Sequence, residues 1–171
     1  KVALDIGVKG IMFPMIRTRA EAEAAVAACK YPPAGIRGLG SGRASQYGQD
    51  RDYVARANDD LLIFMIIEHY QAVENLDEIV TTPGLDAAFF GYADFAGSLG
   101  LTGQLDHPAV IEARNKVLAA TKRAGIAAGY AARDGAHAQE LAALGFTCIS
   151  VGNDAAYIAQ GARAALAASP R

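Results

Sequence analysis

Five short apolar runs, each divided from the next by a stretch of helical periodicity, constrain this chain more than any other feature. They are "GIMFPMI" (10–16), "LLIFMII" (61–67), "DAAFFG" (86–91), "GIAAGYA" (125–131) and "FTCISVG" (146–152). Each is too short for a helix and rich in β-branched or aromatic residues, so each predicts a strand. The runs are apolar at successive positions rather than alternating, which expects a sheet covered by helices. The intervening segments carry helix punctuation. "TRAEAEAAVAACK" sets Thr18 and Glu21 at capping-box spacing and stops at Tyr31-Pro32-Pro33. "YQAVENLDEIV" collects Ala72, Val73, Leu76, Ile79 and Val80 on one face. "HPAVIEARNKVLAATKRAG" begins with Pro108 in its first turn and ends before Gly125. "DGAHAQELAALG" and "DAAYIAQGARAALAAS" continue the style.

Alternating strands and helices predict parallel pairing through right-handed crossovers, an α/β fold in one domain over 1–171. The 52% hydrophobic content suffices for a sizeable core. Two architectures compete, an open doubly wound sheet and a closed (β/α)₈ TIM-type barrel. No GxGxxG turn follows a strand, which disfavours the dinucleotide-binding version of the open sheet. Five strands do not close a barrel of eight, so a barrel reading expects about three β/α units upstream of Lys1.

Several function classes drop out. A net charge of −2 with no basic run gives no footprint for nucleic acid. No segment is long and apolar enough for a bilayer span, so no membrane partner is expected. Cys29 and Cys148 lie in apolar segments without a spaced framework and read as core thiols of a reducing, cytoplasmic compartment. The lysines fall at helix ends or helix surfaces, never at a strand end, which disfavours imine chemistry. No GxSxG elbow is present.

Chemistry in α/β folds sits at the carboxyl ends of the strands. Glu68 follows "LLIFMII" and Asp94 lies just past "DAAFFGYA". Neighbouring strands lie ~4.8 Å apart, close enough for two such carboxylates to share a cation. Oxygen ligands without cysteine suit Mg²⁺ or Mn²⁺. The competing reading makes both acids first-turn residues favoured by a helix dipole. Strand alternation turns His69 away from the face of Glu68, toward packing or support of a ligand. The connection 31–60 is far longer than the ~2–6 residues usual in α/β units, so it reads as an active-site or interface loop. Its Arg37 and Arg43 either receive a substrate carboxylate or brace the loop; bracing is the commoner fate of loop arginines.

Taken together, "YPPAGIRGLGSGRAS", "IIEHYQAVENLDEI" and "PGLDAAFFGYADFAGSLG" followed by "HPAV" resemble the HpcH/HpaI aldolase family, nearly from end to end. That resemblance implies a metal-dependent class II pyruvate aldolase that reversibly cleaves 4-hydroxy-2-oxo acids to pyruvate and an aldehyde. It implies a barrel whose last helix is exchanged with a partner, in a homo-oligomeric hexamer built as a trimer of dimers. The cofactor it implies is Mg²⁺ or Mn²⁺, with Co²⁺ a further candidate. Glu68 and Asp94 match the metal carboxylates, and the backbone at Ala93 and Asp94 matches the contact to the pyruvate carboxylate. Asp5, in "VALDIG", matches an acid that supports a catalytic His. Two positions depart from the pattern: Ile66 stands where a substrate-touching Gln is usual, and Tyr92 stands where Pro is common. The family's catalytic His and its pyruvate-clamping Arg align upstream of Lys1, and none of His69, His107 or His137 matches that His. The alternatives are a barrel lyase of the citrate or malyl-CoA type, and an inactive assembly module.

Overall fold

A computed structural model of the chain describes residues 1–40 and 42–169; Ser41, inside the 31–60 connection, and residues 170–171 lie outside them. The five expected strands all form: β1 (Gly10–Phe13), β2 (Leu62–Ile67), β3 (Ala87–Phe90), β4 (Ala127–Ala132) and β5 (Cys148–Val151). Every pair is parallel, and the order is β1-β2-β3-β4-β5. A strictly sequential order places successive crossover helices on one side of the sheet, whereas a doubly wound sheet reverses direction at a switch point. The result is a curled half-barrel. The strand at 10–16 is shorter than its apolar run, because Pro14 lacks an N–H and Met15 turns to a left-handed φ of 57°.

The helices are α1 (Val2–Asp5), α2 (Arg19–Cys29), α3 (Tyr53–Arg56), α4 (Tyr70–Glu74), α5 (Leu76–Val80), α6 (Tyr92–Ser98), α7 (Pro108–Ala124), α8 (Gly135–Leu144) and α9 (Asp154–Ala168), with one 3₁₀ turn at Gly42–Ser45. The Thr18–Glu21 capping box is present, and Gly125 ends α7 in the left-handed conformation. The expected single helix 70–80 breaks at Asn75, whose backbone departs from helical angles (φ −96°, ψ 17°) and whose side-chain amide donates to the Arg17 carbonyl at 2.8 Å. No helix among the described residues is long and apolar enough to cross a membrane.

The main core lies between sheet and helices. Ile63, Met65 and Ile67 of β2, Ala88 and Phe90 of β3, and Ala128 and Tyr130 of β4 face Val26, Ile79, Val117 and Leu141 from the helices. By register, Met12, Leu62, Phe64, Ile66, Phe89 and Gly129 occupy the opposite, concave face. Met12 and Leu62 there are exposed. Cys29 is buried, Cys148 half-buried, and both are free.

Candidate active site

Three consecutive strand ends meet at the carboxyl edge. Glu68 leaves β2 directly, Gly91 and the first turn of α6 with Asp94 follow β3, and Met15 follows β1. Glu68 is buried at 7% exposure. Its Oε1 accepts the Met15 N–H at 2.7 Å, a donor aimed inward by that residue's left-handed backbone. Asp94, whose own side chain is exposed, lies close enough for its charge to act on the Glu68 carboxylate. Burial pushes the Glu68 carboxyl above its ordinary value. The Met15 amide pulls it back, and the negative charge of Asp94 pushes it up again.

Gly91 makes this corner possible. A Cβ there would sit 2.7 Å from the Glu68 Cβ and 3.0 Å from Ile66 Cγ2. Ile66 itself is half-buried on the concave face, an apolar wall beside the carboxylates. The amides of Ala93 and Asp94 belong to the first turn of α6, where an α-helix leaves its N–H groups without internal partners.

Two acids with a buried oxygen held in place, and like charge concentrated between them, form a donor set that a hard divalent cation would neutralise. Among the described residues no third His, Cys, Asp or Glu joins them. Such a cation would keep several positions for water and substrate, the habit of Mg²⁺ and Mn²⁺. The residues present therefore fit the group.

The remaining expected residues are elsewhere. Arg37 is buried at the amino edge, beside the residues that lead into β1 and β2. Its Nη2 donates to Asp5 Oδ1 at 2.9 Å and to the Tyr53 hydroxyl at 3.2 Å, and its guanidinium lies 4.4 Å from the Tyr31 ring centroid. Tyr31, Tyr53 and Ala57 make a small second core around it. The long 31–60 connection is thus braced from within by Arg37, the commoner of the two fates open to a loop arginine, at the sheet edge away from Glu68 and Asp94. The reason is topological: a connection from helix to strand enters the sheet at its amino end, opposite the carboxylates. Arg43 is exposed. Asp5 pairs with Arg37 and Lys1, away from the corner that Glu68 and Asp94 form.

The histidines share one local task. Nδ1 of His69 accepts the Gln71 N–H, that of His107 the Ala109 N–H and that of His137 the Arg133 N–H, each at 3.2 Å. His69 caps α4 and packs on Tyr70, in keeping with its turning away from Glu68. The Met15 amide is the functional group that sequence reasoning missed; Pro14, breaking an apolar run, was the signal available.

A sequential parallel half-barrel with paired carboxylates at its carboxyl edge belongs to the β/α-barrel class, where that edge carries the chemistry. The comparisons sharpen this. The family model for HpcH/HpaI aldolase/citrate lyase matches residues 1–160, and the chain belongs to that family. It is 39% identical over 156 residues to a 2-keto-3-deoxy-L-rhamnonate aldolase of Klebsiella pneumoniae, covering 90% of this chain and 58% of the relative. A 4-hydroxy-2-oxo-heptane-1,7-dioate aldolase of Salmonella arizonae is 39% identical over 166 residues, covering 96% of this chain and 63% of the relative. The chain thus spans about three fifths of the length of these curated relatives. Among solved structures, an HpcH/HpaI aldolase/citrate lyase family protein from Burkholderia cenocepacia J2315 superposes with a TM-score of 0.91 at 39% identity, over 96% of this chain and 66% of that one.

Proposed function

We propose that this chain carries the metal-binding part of a class II aldolase site, acting on a 4-hydroxy-2-oxo acid to give pyruvate, or a close 2-oxo acid, and an aldehyde. The observation that carries the reading is the buried Glu68 carboxylate, fixed by Met15 and set against Asp94 at the carboxyl edge. A divalent ion bound there, Mg²⁺, Mn²⁺ or Co²⁺, supplies Lewis-acid stabilisation of negative charge developing on the 2-oxo oxygen. Glu68 and Asp94 hold it. The Met15 N–H keeps Glu68 from rotating away, and Gly91 leaves the space that both need. The first-turn amides at Ala93 and Asp94 offer donors to the substrate carboxylate. Ile66 and Phe89 give the concave face an apolar wall that limits water. The three histidines each spend Nδ1 on a local amide, so the base that takes the C4 hydroxyl proton is not assigned to them.

A homo-oligomer with an exchanged last helix is part of the same reading. In support, α9 buries none of its residues, and Tyr157, Ile158 and Leu166 stand exposed on it. The free thiols suit a reducing cytoplasm.

The test is coupled detection of pyruvate over a panel of 4-hydroxy-2-oxo acids, with and without chelator. Chelator-sensitive release is expected, restored by Mg²⁺ or Mn²⁺. Release that chelator leaves untouched would overturn the metal role.

A further inference from the structure

A second cavity opens on the convex side of the sheet, at the carboxyl edge of β3 and β4. It is walled by Tyr92, Tyr130, Arg114, Arg133, His137 and Asp106, with Val110 and Ile111 at its base. Neither Glu68 nor Asp94 lines it. We propose that this cavity is a binding site for a compact oxyanion, the carboxylate or phosphate terminus of a small metabolite.

The charge arrangement supports it. The Arg114 guanidinium bonds, among the described residues, only to the side-chain oxygen of its neighbour Asn115, at 3.1 and 3.2 Å. Among the described residues, no carboxylate lies closer to either guanidinium than Asp106, 3.8 Å from Arg133 Nη1. Asp106 is itself largely solvent-exposed, so this contact is weak and replaceable. Two guanidinium groups with free donors, brought to one hollow from α7 and from the end of β4, match the forked geometry of a carboxylate or phosphate. His137 adds a third donor. Its Nδ1 accepts the Arg133 N–H, which assigns the proton of the neutral ring to Nε2.

The walls limit what enters. Tyr92 stacks on Tyr130 with centroids 5.0 Å apart and rings 13° from parallel, and His137 meets Tyr130 edge-on at 5.9 Å. The cavity volume of about 70 Å³ suits a single oxyanion group and is too small for a nucleotide. Burial pushes the Tyr130 phenol up to about 12, with Tyr92 adding to the shift and Arg114 and Arg133 opposing it, so both cations act on this spot. The phenol therefore stays protonated and remains a donor at neutral pH.

The chain has no tryptophan, so its near-ultraviolet band comes from seven tyrosines, of which Tyr92 and Tyr130 line the cavity and would be perturbed by an anion bound there. Titration of the protein with inorganic phosphate, and separately with succinate, should give a saturable ultraviolet difference spectrum. A response to phosphate alone, to succinate alone or to both supports the site and identifies which oxyanion fits. Arg114→Gln and Arg133→Gln should each weaken binding about tenfold by removing a charged fork. Asp106→Asn should tighten it about threefold by removing the carboxylate that lines the cavity. That exposed substitution keeps the test informative even where an arginine variant folds poorly. No saturable response from the wild-type protein, or Gln variants that bind as it does, would overturn the assignment.

Discussion

Gly91 and Glu68 share one corner so tightly that a Cβ on the glycine would lie 2.7 Å from the Glu68 Cβ and 2.9 Å from its Oε2. Two strands thereby define one carboxylate position: β2 delivers Glu68, and β3 must end in a residue without a side chain. Gly91→Ala should push Glu68 off the Met15 amide and away from Asp94. Overpacking of this kind costs about 1–3 kcal/mol. The expected outcome is a lower melting temperature together with Mn²⁺ affinity reduced about tenfold or more, read by paramagnetic resonance. An affinity equal to the wild type would show that the corner is not the ligand site.

A similar close approach supports the concave face. A Cβ on Gly129 would lie 3.0 Å from Phe89 Cγ and closer still to Cδ2, and the two residues are partners across β3 and β4. Gly129→Ala should therefore displace the Phe89 ring and destabilise the fold by about 1–3 kcal/mol. Gly129→Ala with Phe89→Leu should recover part of that loss. Equal melting temperatures for the single and double variants would refute the steric account.

Much of this architecture was legible in the sequence, because it rests on local rules. The five runs, the Thr18–Glu21 spacing, Pro108 and Gly125 all act within a few residues and reappear as strands, caps and a stop. Glu68 and Asp94 were legible because a strand end is a fixed place in an α/β fold. What escaped were long-range substitutions for local bonds. Asn75 interrupts its helix and donates to a carbonyl 58 residues away, and the Met15 amide serves a carboxylate on another strand. For Arg37 the sequence left two fates open, because a Gly-rich loop suits either; what separates them is the direction of the chain, which puts that loop at the amino edge.

Arg37 supplies the third prediction. It is buried among Tyr31, Tyr53 and Asp5, so Arg37→Leu should strand the Asp5 carboxylate and the Tyr53 hydroxyl, costing about 2–4 kcal/mol. Asp5→Asn should cost less, because Asp5 is partly exposed. Burial alone would raise the Asp5 carboxyl, but hydrogen bonds and ion pairs with Lys1 and Arg37 outweigh it and hold it below its ordinary 3.8. A depressed carboxylate stabilises the fold above the unfolded-state value and loses that contribution as pH falls through the folded one. Melting curves of wild type and Asp5→Asn should therefore separate at pH 7 and draw together only as pH falls below the ordinary 3.8 and through the lowered folded value. A gap that persists in acid would argue for packing rather than charge.

Glu68 gives the opposite sign. Burial raises its carboxyl above 4.5, the Met15 amide lowers it and Asp94 raises it again. A raised carboxyl binds its proton more tightly in the folded state. Its favourable contribution is therefore present below the unfolded-state value and lost as pH rises through the folded one. Above the folded value the ionised Glu68 works against the fold unless a cation neutralises it. Glu68→Gln should then melt at or above the wild-type temperature at pH 7.5 in chelator, with the advantage gone at pH 4. Added Mg²⁺ or Mn²⁺ should reverse the ranking, since saturation at a hundred times the dissociation constant stabilises the wild type by about 2.7 kcal/mol. The variant, lacking one of the two proposed ligands, should respond little. Wild type and Glu68→Gln melting in parallel, with and without the ion, would remove the cation from this corner of the sheet.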